Sequence, residues 1–519
     1  LMLSSFRKLA RTKTQTAVTV TVPAPIGGWN ARDSLGAMAV EDAVTLTNWW
    51  PGTNSVILRS GYSKHATGFA GQVETVMAYS SATANKLFAV STNSIYDITS
   101  SGAIGSASVS SLTNSRFQYV NFTTTGGSYL MCVNGADKMR VFNGTTWAKD
   151  GDGAPYDITG VDTTTVVNIN IFKNRIWMIQ NSSLKAWYLP VNAIGGAATS
   201  LDMSSLFMQG GYIMAGMNWT LDAGYGMDDY LAFITSNGEV AVWQLTDPTT
   251  PTGIKLIGIY TVGAPIGRRC WTKFGGDLLI ITQDGVVPMS GALQSSRLDP
   301  RVSITNKIQY AMSSAISQYS ANFGWTLLYF PKENQLIMNV PIQAGSQQQQ
   351  YVMNNITKSW CNFTGWDANC WELYQDNPYF GGNGFVGQAW NTNADAGTNI
   401  QSFAIQSFQN YGRALQKQCE MIRYHFFSNG TPTVYGNVNV DYSTLDQSVQ
   451  LDFSPSEYGI WDTGLWDTAI WGQGLVPSAE WQGVTQIGYT FAPVLKSATS
   501  GIELQWIASD LVFQNGGVL

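Results

Sequence analysis

The sequence predicts an all-β fold: a β-propeller of about six or seven blades, a β-sandwich-like platform domain, and one or two short helices. Three observations carry this prediction. Charged residues make up only 12% of the 519 residues, while aromatics also reach 12% and glycines number 52. Apolar hairpins recur through the middle of the chain at a nearly constant interval. After about residue 391 longer runs of clean alternation replace them. The composition suits short strands joined by tight turns, and it excludes a helical bundle or a disordered chain. A chain of this length needs two or three cores. So few charges also predict that partners cover much of its surface, because neutral polar and aromatic groups are cheaper to bury than Lys or Glu.

Residues 1–21 form a basic N-terminal arm. Arg7, Lys8, Arg11 and Lys13 precede the first acid, Asp33, in a chain whose net charge is −6. The arm reads as a solvated tail or as a segment that contacts a partner or DNA phosphates. No apolar region follows the charges, so it does not read as a secretory signal. No run approaches the ~18 apolar residues of a membrane span. The overall acidity excludes a generally basic nucleic-acid binder.

Residues 22–70 are expected to dock on the platform. Pro23 and Pro25 fix an extended lead-in, and Gly27-Gly28 let the backbone turn. Arg32 and Asp33 stand close enough for a local ion pair or an Asx turn. Glu41 and Asp42 predict the start of a short helix that buries Val44, Leu46 and Trp49 before Pro51 stops it. "VILRSGYSKHAT" then returns as a strand carrying Arg59 and Lys64.

Residues 71–390 carry the repeat. Hairpins begin near Leu87, Tyr129, Ile176, Tyr230, Leu278, Leu327 and Tyr379, at intervals of 42, 47, 54, 48, 49 and 52 residues. In each, an apolar strand enters a turn of Asn, Gly, Asp or Ser and a second strand leaves it. That interval is the length of a four-stranded propeller blade. WD and kelch signatures are missing, and no S-x-D-x-G-x-x-W box is intact. One helix is predicted in "SITNKIQYAMSSAISQYS", where Ile304, Ile308, Ala311, Met312, Ala315 and Ile316 share a face. Residues 391–519 read as the separate antiparallel platform, with Val434, Gly436, Val438, Val440 and Tyr442 on one side of a strand.

Few residues suggest chemistry. The two histidines, His65 and His425, lack any recognisable catalytic partner motif. Asp150, Asp152 and Gly153 resemble half of a calcium loop without its remaining ligands, which favours an Asp-Gly turn. Asp228–Asp229 and Glu41–Asp42 are carboxylate pairs only in sequence. The odd set Cys132, Cys270, Cys361, Cys370 and Cys419 has no metal-ligand spacing and reads as reduced, buried thiols. The expectation is no enzyme, no catalytic residues, no metal and no cofactor.

The stretch Val22–Gly68, "VPAPIGGWNARDSLGAMAVEDAVTLTNWWPGTNSVILRSGYSKHATG", is the most distinctive in the chain. With the basic arm before it, it resembles the start of the tail nozzle proteins of short-tailed bacteriophages, also called tail tubular or packaged-DNA stabilisation proteins. Trp29 stands where that family would carry Leu, and Trp50 where it would carry Phe. The resemblance extends, less specifically, through the propeller-like middle to the late Trp-Asp-Thr pentads. It implies a structural virion protein, assembled in the bacterial host cytoplasm as a hexamer at the distal end of the tail. Such a ring docks on the head–tail adaptor, meets a tail fibre, spike or needle protein, surrounds double-stranded DNA in its exit channel and helps retain the genome until ejection. Net acidity suits such a conduit, since weak repulsion lets the duplex slide.

Subunit contacts are then expected at Trp29, Arg32, Asp33, Trp49 and Trp50, and at Trp461, Trp466 and Trp471 of "GIWDTGLWDTAIW". The five-residue spacing of the last three suits neither helix nor strand and reads as repeated turns, each presenting an aliphatic–Trp pair. Packing against a neighbour or the domain's own sheet is the favoured reading. The alternative is a glycan-binding or glycan-cleaving propeller for host adsorption, since sugars stack on flat aromatic faces.

Overall fold

The computed structural model describes residues 17–222, 227–292, 302–412, 414–451 and 474–515. Its strands form seven blades around one axis, each a meander of three or four antiparallel strands. The second blade comprises Gln118–Thr124, Gly127–Val133, Arg140–Phe142 and Trp147–Lys149. The third runs Val166–Phe172, Arg175–Gln180, Lys185–Tyr188 and Thr199–Asp202, and the fourth Ile213–Asp222, Met227–Thr235, Glu239–Leu245 and Ile254–Thr261. The fifth has three strands, Trp271–Phe274, Asp277–Thr282 and Gly285–Pro288, and the sixth four, Thr326–Phe330, Gln335–Gln343, Gln347–Asn354 and Trp360–Thr364. Local turn chemistry sets several registers. Thr92-Asn93, Lys173-Asn174 and Gln375-Asp376 all have positive φ and join their strands directly, as the right-handed twist of a two-residue hairpin requires.

The first and seventh blades share one strand. Gly61–Ser80 gives its residues 61–72 to the outer edge of the seventh blade, beside Asn383–Thr392, Asn377–Gly381 and Cys370–Tyr374. Its residues 73–80 become the inner strand of the first blade, beside Asn85–Ser91 and Ser94–Asp97. Neighbouring inner strands touch around the axis, and Cys370–Tyr374 lies against Gly61–Ser80 to complete the ring. The propeller thus begins at Gly61, inside the segment expected to dock on the platform.

Six of the seven expected hairpins are the second and third strands of their blades. The hairpin at Leu327 is instead the first and second strands of the sixth. The connection before that blade holds two short helices, Met289–Ala292 and Gln309–Tyr319, and its length absorbs the shift in phase. The second helix buries Met312, Ala315 and Ile316 against the propeller. It starts at Gln309, later than the apolar periodicity suggests, because Ile304 serves as backbone acceptor for the Trp360 indole and Asn306–Ile308 form a separate 3-10 turn.

The platform is a sandwich of two sheets. One continues the sixth blade: Trp360–Thr364 is followed by Asp42–Thr47, Ile400–Gln406, Phe491–Thr499, Val434–Val440 and Val449–Gln450. The other is ordered Val476–Gly488, Lys417–Ser428, Leu504–Asn515, Val56–Leu58 and Trp49–Pro51, with Val18–Pro23 also on Leu504–Asn515. Asp42–Thr47 is therefore a strand, not the predicted helix. Its acidic start and following proline mimic helix signals, but β-branched Val44, Thr45 and Thr47 favour the sheet, where the strand pairs with Ile400–Gln406. Leu46 and Trp49 are still buried. One apolar core runs from Trp49, Trp506 and Leu495 of the platform to Phe363, Trp366 and Phe380 of the last two blades.

At that junction lies Arg59, 1% exposed. Its guanidinium pairs with both Asp395 oxygens at 2.9 and 2.6 Å and donates to Asn48 Oδ1, Ser60 O and Thr364 O. It also lies 4.6 Å from the Trp366 ring. Removing one member of such a pair leaves an uncompensated buried charge. Arg59→Ala is expected to cost about 3–5 kcal/mol in urea unfolding. Adding Asp395→Ala should recover part of that loss.

Candidate functional site

Three places concentrate polar and aromatic side chains: the joint made by the N-terminal signature, the propeller axis, and the outer face of the platform. At the joint, Gly28 has φ of +82°, and a Cβ there would meet Trp360 O at 2.6 Å, so only glycine fits. Asn30 Oδ1 accepts from the Arg32 and Asp33 amides, while its Nδ2 donates to Asp33 and to buried Asp42, each at 2.8 Å. Lys307 spans the turn, donating to Gly27 O at 2.7 Å and to Asp42 Oδ1 at 2.6 Å. Arg32 and Asp33 pair at 2.8 Å near the surface. Hydrogen bonds from Arg32 and Asn30 hold the Asp33 carboxyl down at about 2.

The propeller axis is crossed by side chains. Arg269, on the connection before the fifth blade, reaches the first two blades: it donates to Glu74 O (3.0 Å), Thr75 Oγ1 (2.8 Å) and Phe117 O (2.9 Å). Arg116 pairs with the Glu74 carboxylate at 3.0 Å. Phe323, which precedes the sixth blade, lies under both guanidinium groups, at 4.2 Å from Arg116 and 5.3 Å from Arg269. Beside this strut is a cavity of about 320 Å³ lined by residues from the starts of the inner strands, among them Tyr119, Asn168, Asn170, Trp271, Thr326 and Glu372. Tyr119 hydrogen-bonds the Glu372 carboxyl, which also accepts from Leu373 N at 3.0 Å. Burial pushes Glu372 up to about 7, against the pull of Tyr119, Leu373 N–H and the Arg269 charge.

The platform's outer face carries a wider hollow of about 600 Å³, lined by Thr21, His425, Phe427, Pro477, Ile507 and Asp510. Asp510, 4% exposed, accepts from Thr21 Oγ1 (2.6 Å), Arg423 Nη2 (2.6 Å) and His425 Nε2 (2.8 Å). Against its burial, those bonds hold it down at about 2. Arg423 lies 4.5 Å from the ring of exposed Trp481. The sheet's border here is Val476–Gly488, paired only to Lys417–Ser428 among the described residues.

Of the residues expected at subunit contacts, Arg32 and Asp33 are near the surface. Trp49 and Trp50 are not available to a neighbour: they are buried in the chain's own core, against Trp506 and against Phe363 and Trp390. Trp29 is half-buried, edge-on to Tyr351 at 5.2 Å. Trp461, Trp466, Trp471, Arg7, Lys8, Arg11 and Lys13 lie outside the described residues. His65 hydrogen-bonds Ile98 O at 2.8 Å, a strand-to-turn contact. The Asp150 carboxylate is occupied by Lys138, Thr163 and the Ile158 amide. All five cysteines are buried and free. Arg269, Glu372, Arg423 and Asp510 escaped sequence reasoning, because each acquires its role from strands remote in sequence. The only local signal was charge inside apolar runs, as in "CWELY" and "ASDLVF".

The fold and these sites define a seven-bladed β-propeller fused to a β-sandwich platform. No protein-family model matches the chain, and no curated protein matches it. Among solved structures, the chain is similar to YCF48 from Cyanidioschyzon merolae at 10% identity, covering 64% of this chain and 98% of that one with a TM-score of 0.37. It is likewise similar to the Myceliophteria thermophila Cps50 (Swd1) β-propeller domain at 11% identity, covering 64% and 100%, with a TM-score of 0.38. Among the described residues, no helix is long and apolar enough to cross a membrane.

Glu372 yields a stability test. Its pKa is raised in the fold from an ordinary 4.5 to about 7. The folded state therefore holds a proton that the unfolded chain releases, and this contribution is complete below about 4.5 and lost as pH rises through about 7. The melting temperature of the native chain should fall across that window. Glu372→Gln, which keeps a neutral group beside Tyr119, should flatten that part of the profile in pH-dependent thermal melts.

Proposed function

We propose that this chain is a structural subunit of a short-tailed phage nozzle, a non-catalytic protein that works by assembling into a ring around the DNA exit path. The observation that carries the reading is the distinctive Val22–Gly68 stretch, whose residues make the joint between propeller and platform. Gly28, Asn30, Asp42 and Lys307 lock its turn, Trp49 and Trp50 fill the shared core, and Arg59 ties it to the last blades. A joint locked in this way ties the two domains together, which a ring subunit requires.

Two further features support it. Arg269, Arg116 and Phe323 meet across the propeller axis, so a duplex has to pass between subunits and not through a propeller. The platform's outer face carries a hollow of about 600 Å³ and exposed Trp481, the kind of surface a neighbouring subunit covers. Glycoside cleavage has less support. Glu372 is the one carboxyl lining the axial cavity among the described residues, and the nearby Glu74 is held by Arg116, so the usual pair of carboxyl groups is not assembled there.

In this reading the platform and its joint form the ring, the propellers stand outside it, and the adaptor, fibre or needle proteins meet its two ends. Electron microscopy of the full chain, and of particles containing it, is expected to show rings of six copies with a central hole. A monomer without a channel at all concentrations would overturn the proposal.

A further inference from the structure

The axial cavity has hydrogen-bonding capacity that the protein does not use. Asn168, Asn170 and Thr326 line it and are 3%, 6% and 8% exposed. Asn168 Oδ1 accepts from Gly216 N, yet its Nδ2 has no partner among the described residues. Asn170 Nδ2 donates to Asn218 Oδ1 at 2.6 Å, yet its Oδ1 has none. The Thr326 hydroxyl is likewise unpaired. None of these three is among the fully buried orphaned atoms of the described residues, so each is open to solvent. A donor, an acceptor and a hydroxyl not committed within the protein are thus available at one cavity to a polar ligand.

The charges around it are unbalanced. Arg269 is bonded to two carbonyls and a hydroxyl, and Arg268 donates to the amide oxygen of Asn181 at 3.0 Å. Neither guanidinium forms a direct ion pair among the described residues, although the Arg269 charge acts on Glu74 and Glu372. The Glu74 carboxylate is taken by Arg116, which leaves Glu372 as the acid lining the cavity. Aromatic walls come from Trp271 and Tyr119. Free amide and hydroxyl groups beside a flat ring suit the hydroxyls and C–H face of a sugar. Two guanidinium groups lacking carboxylate partners suit an anion.

We infer that the propeller axis is a binding site for one acidic sugar residue, a hexuronate, with its carboxylate toward Arg268 and Arg269 and its hydroxyls on Asn168, Asn170 and Thr326. This site does not depend on ring assembly. It gives a non-catalytic propeller a point of contact with acidic polysaccharide.

The proposal also carries a pH dependence. The groups facing Glu372 are Tyr119 from the second blade, Arg269 from the connection before the fifth, and Cys370 on its own strand, with the Glu74–Arg116 pair near Arg269. Burial raises Glu372 to about 7, so on acidification the cavity loses its negative charge and keeps its positive ones. A uronate should bind more tightly at pH 6 than at pH 8.

Saturation-transfer NMR on the full chain tests this, with galacturonate and glucuronate as probes and galactose and glucose as uncharged counterparts. Saturable signal is expected from the uronates at pH 6, weaker at pH 8, with little from the neutral hexoses. Arg268→Gln and Asn170→Ala should each weaken uronate binding about tenfold, the scale of one hydrogen bond to a charged ligand. Thr326→Val supplies a third variant should either of those fail to fold. No uronate signal, equal signal from neutral hexoses, or uronate binding unchanged in the folded variants would overturn the site.

Discussion

Everything in this molecule hangs on one strand serving two blades. Gly61–Ser80 closes the seventh blade with its first half and opens the first blade with its second. A toroid of blades has no intrinsic reason to stay shut, because each blade packs only on its neighbours. Hydrogen bonds that carry an early segment into the last sheet convert the open array into a ring. The same segment emerges directly from the platform through Val56–Leu58 and Arg59, so closure and platform assembly are one event.

That coupling explains why so much of the early sequence is distinctive without being chemical. Gly28 is demanded by the approach of Trp360, Asn30 by four hydrogen bonds in one turn, and Arg59 by Asp395. The sixth blade and the platform share a continuous sheet, with Thr47 facing Asn362 where they meet. A backbone joint of this kind resists hinge motion better than a side-chain interface does. The propeller is thus tied to the platform by a backbone bridge as well as by their shared core.

Local features were legible in the sequence, and closure was not. Hairpins announce themselves through alternation and turn residues such as Thr92-Asn93, which act within a few positions. The pairing of residues 61–72 with Asn383–Thr392 leaves no such trace, and neither does the reach of Arg269 across the axis. Acidic residues and a proline bracket Asp42–Thr47 as they would a helix, while the strand that makes it part of a sheet, Ile400–Gln406, is far away in sequence. Trp49 and Trp50 looked like contact residues for a neighbour because aromatic pairs serve interfaces and cores alike. Only the structure distinguishes the two, by showing Trp49 against Trp506. The helix after Asn306 was visible from its apolar face, though the separate 3-10 turn that begins it was not.

The shared strand also dictates when the protein can fold. During synthesis the second to sixth blades can form in order as they leave the ribosome, each from contiguous sequence. Residues 61–72 must wait for Asn383–Thr392, and Val18–Pro23 must wait for Leu504–Asn515. Until those late strands arrive, an apolar edge and half of a sandwich core stand open. The platform therefore completes its fold only once Leu504–Asn515 is available to pair with Val18–Pro23 and Lys417–Ser428.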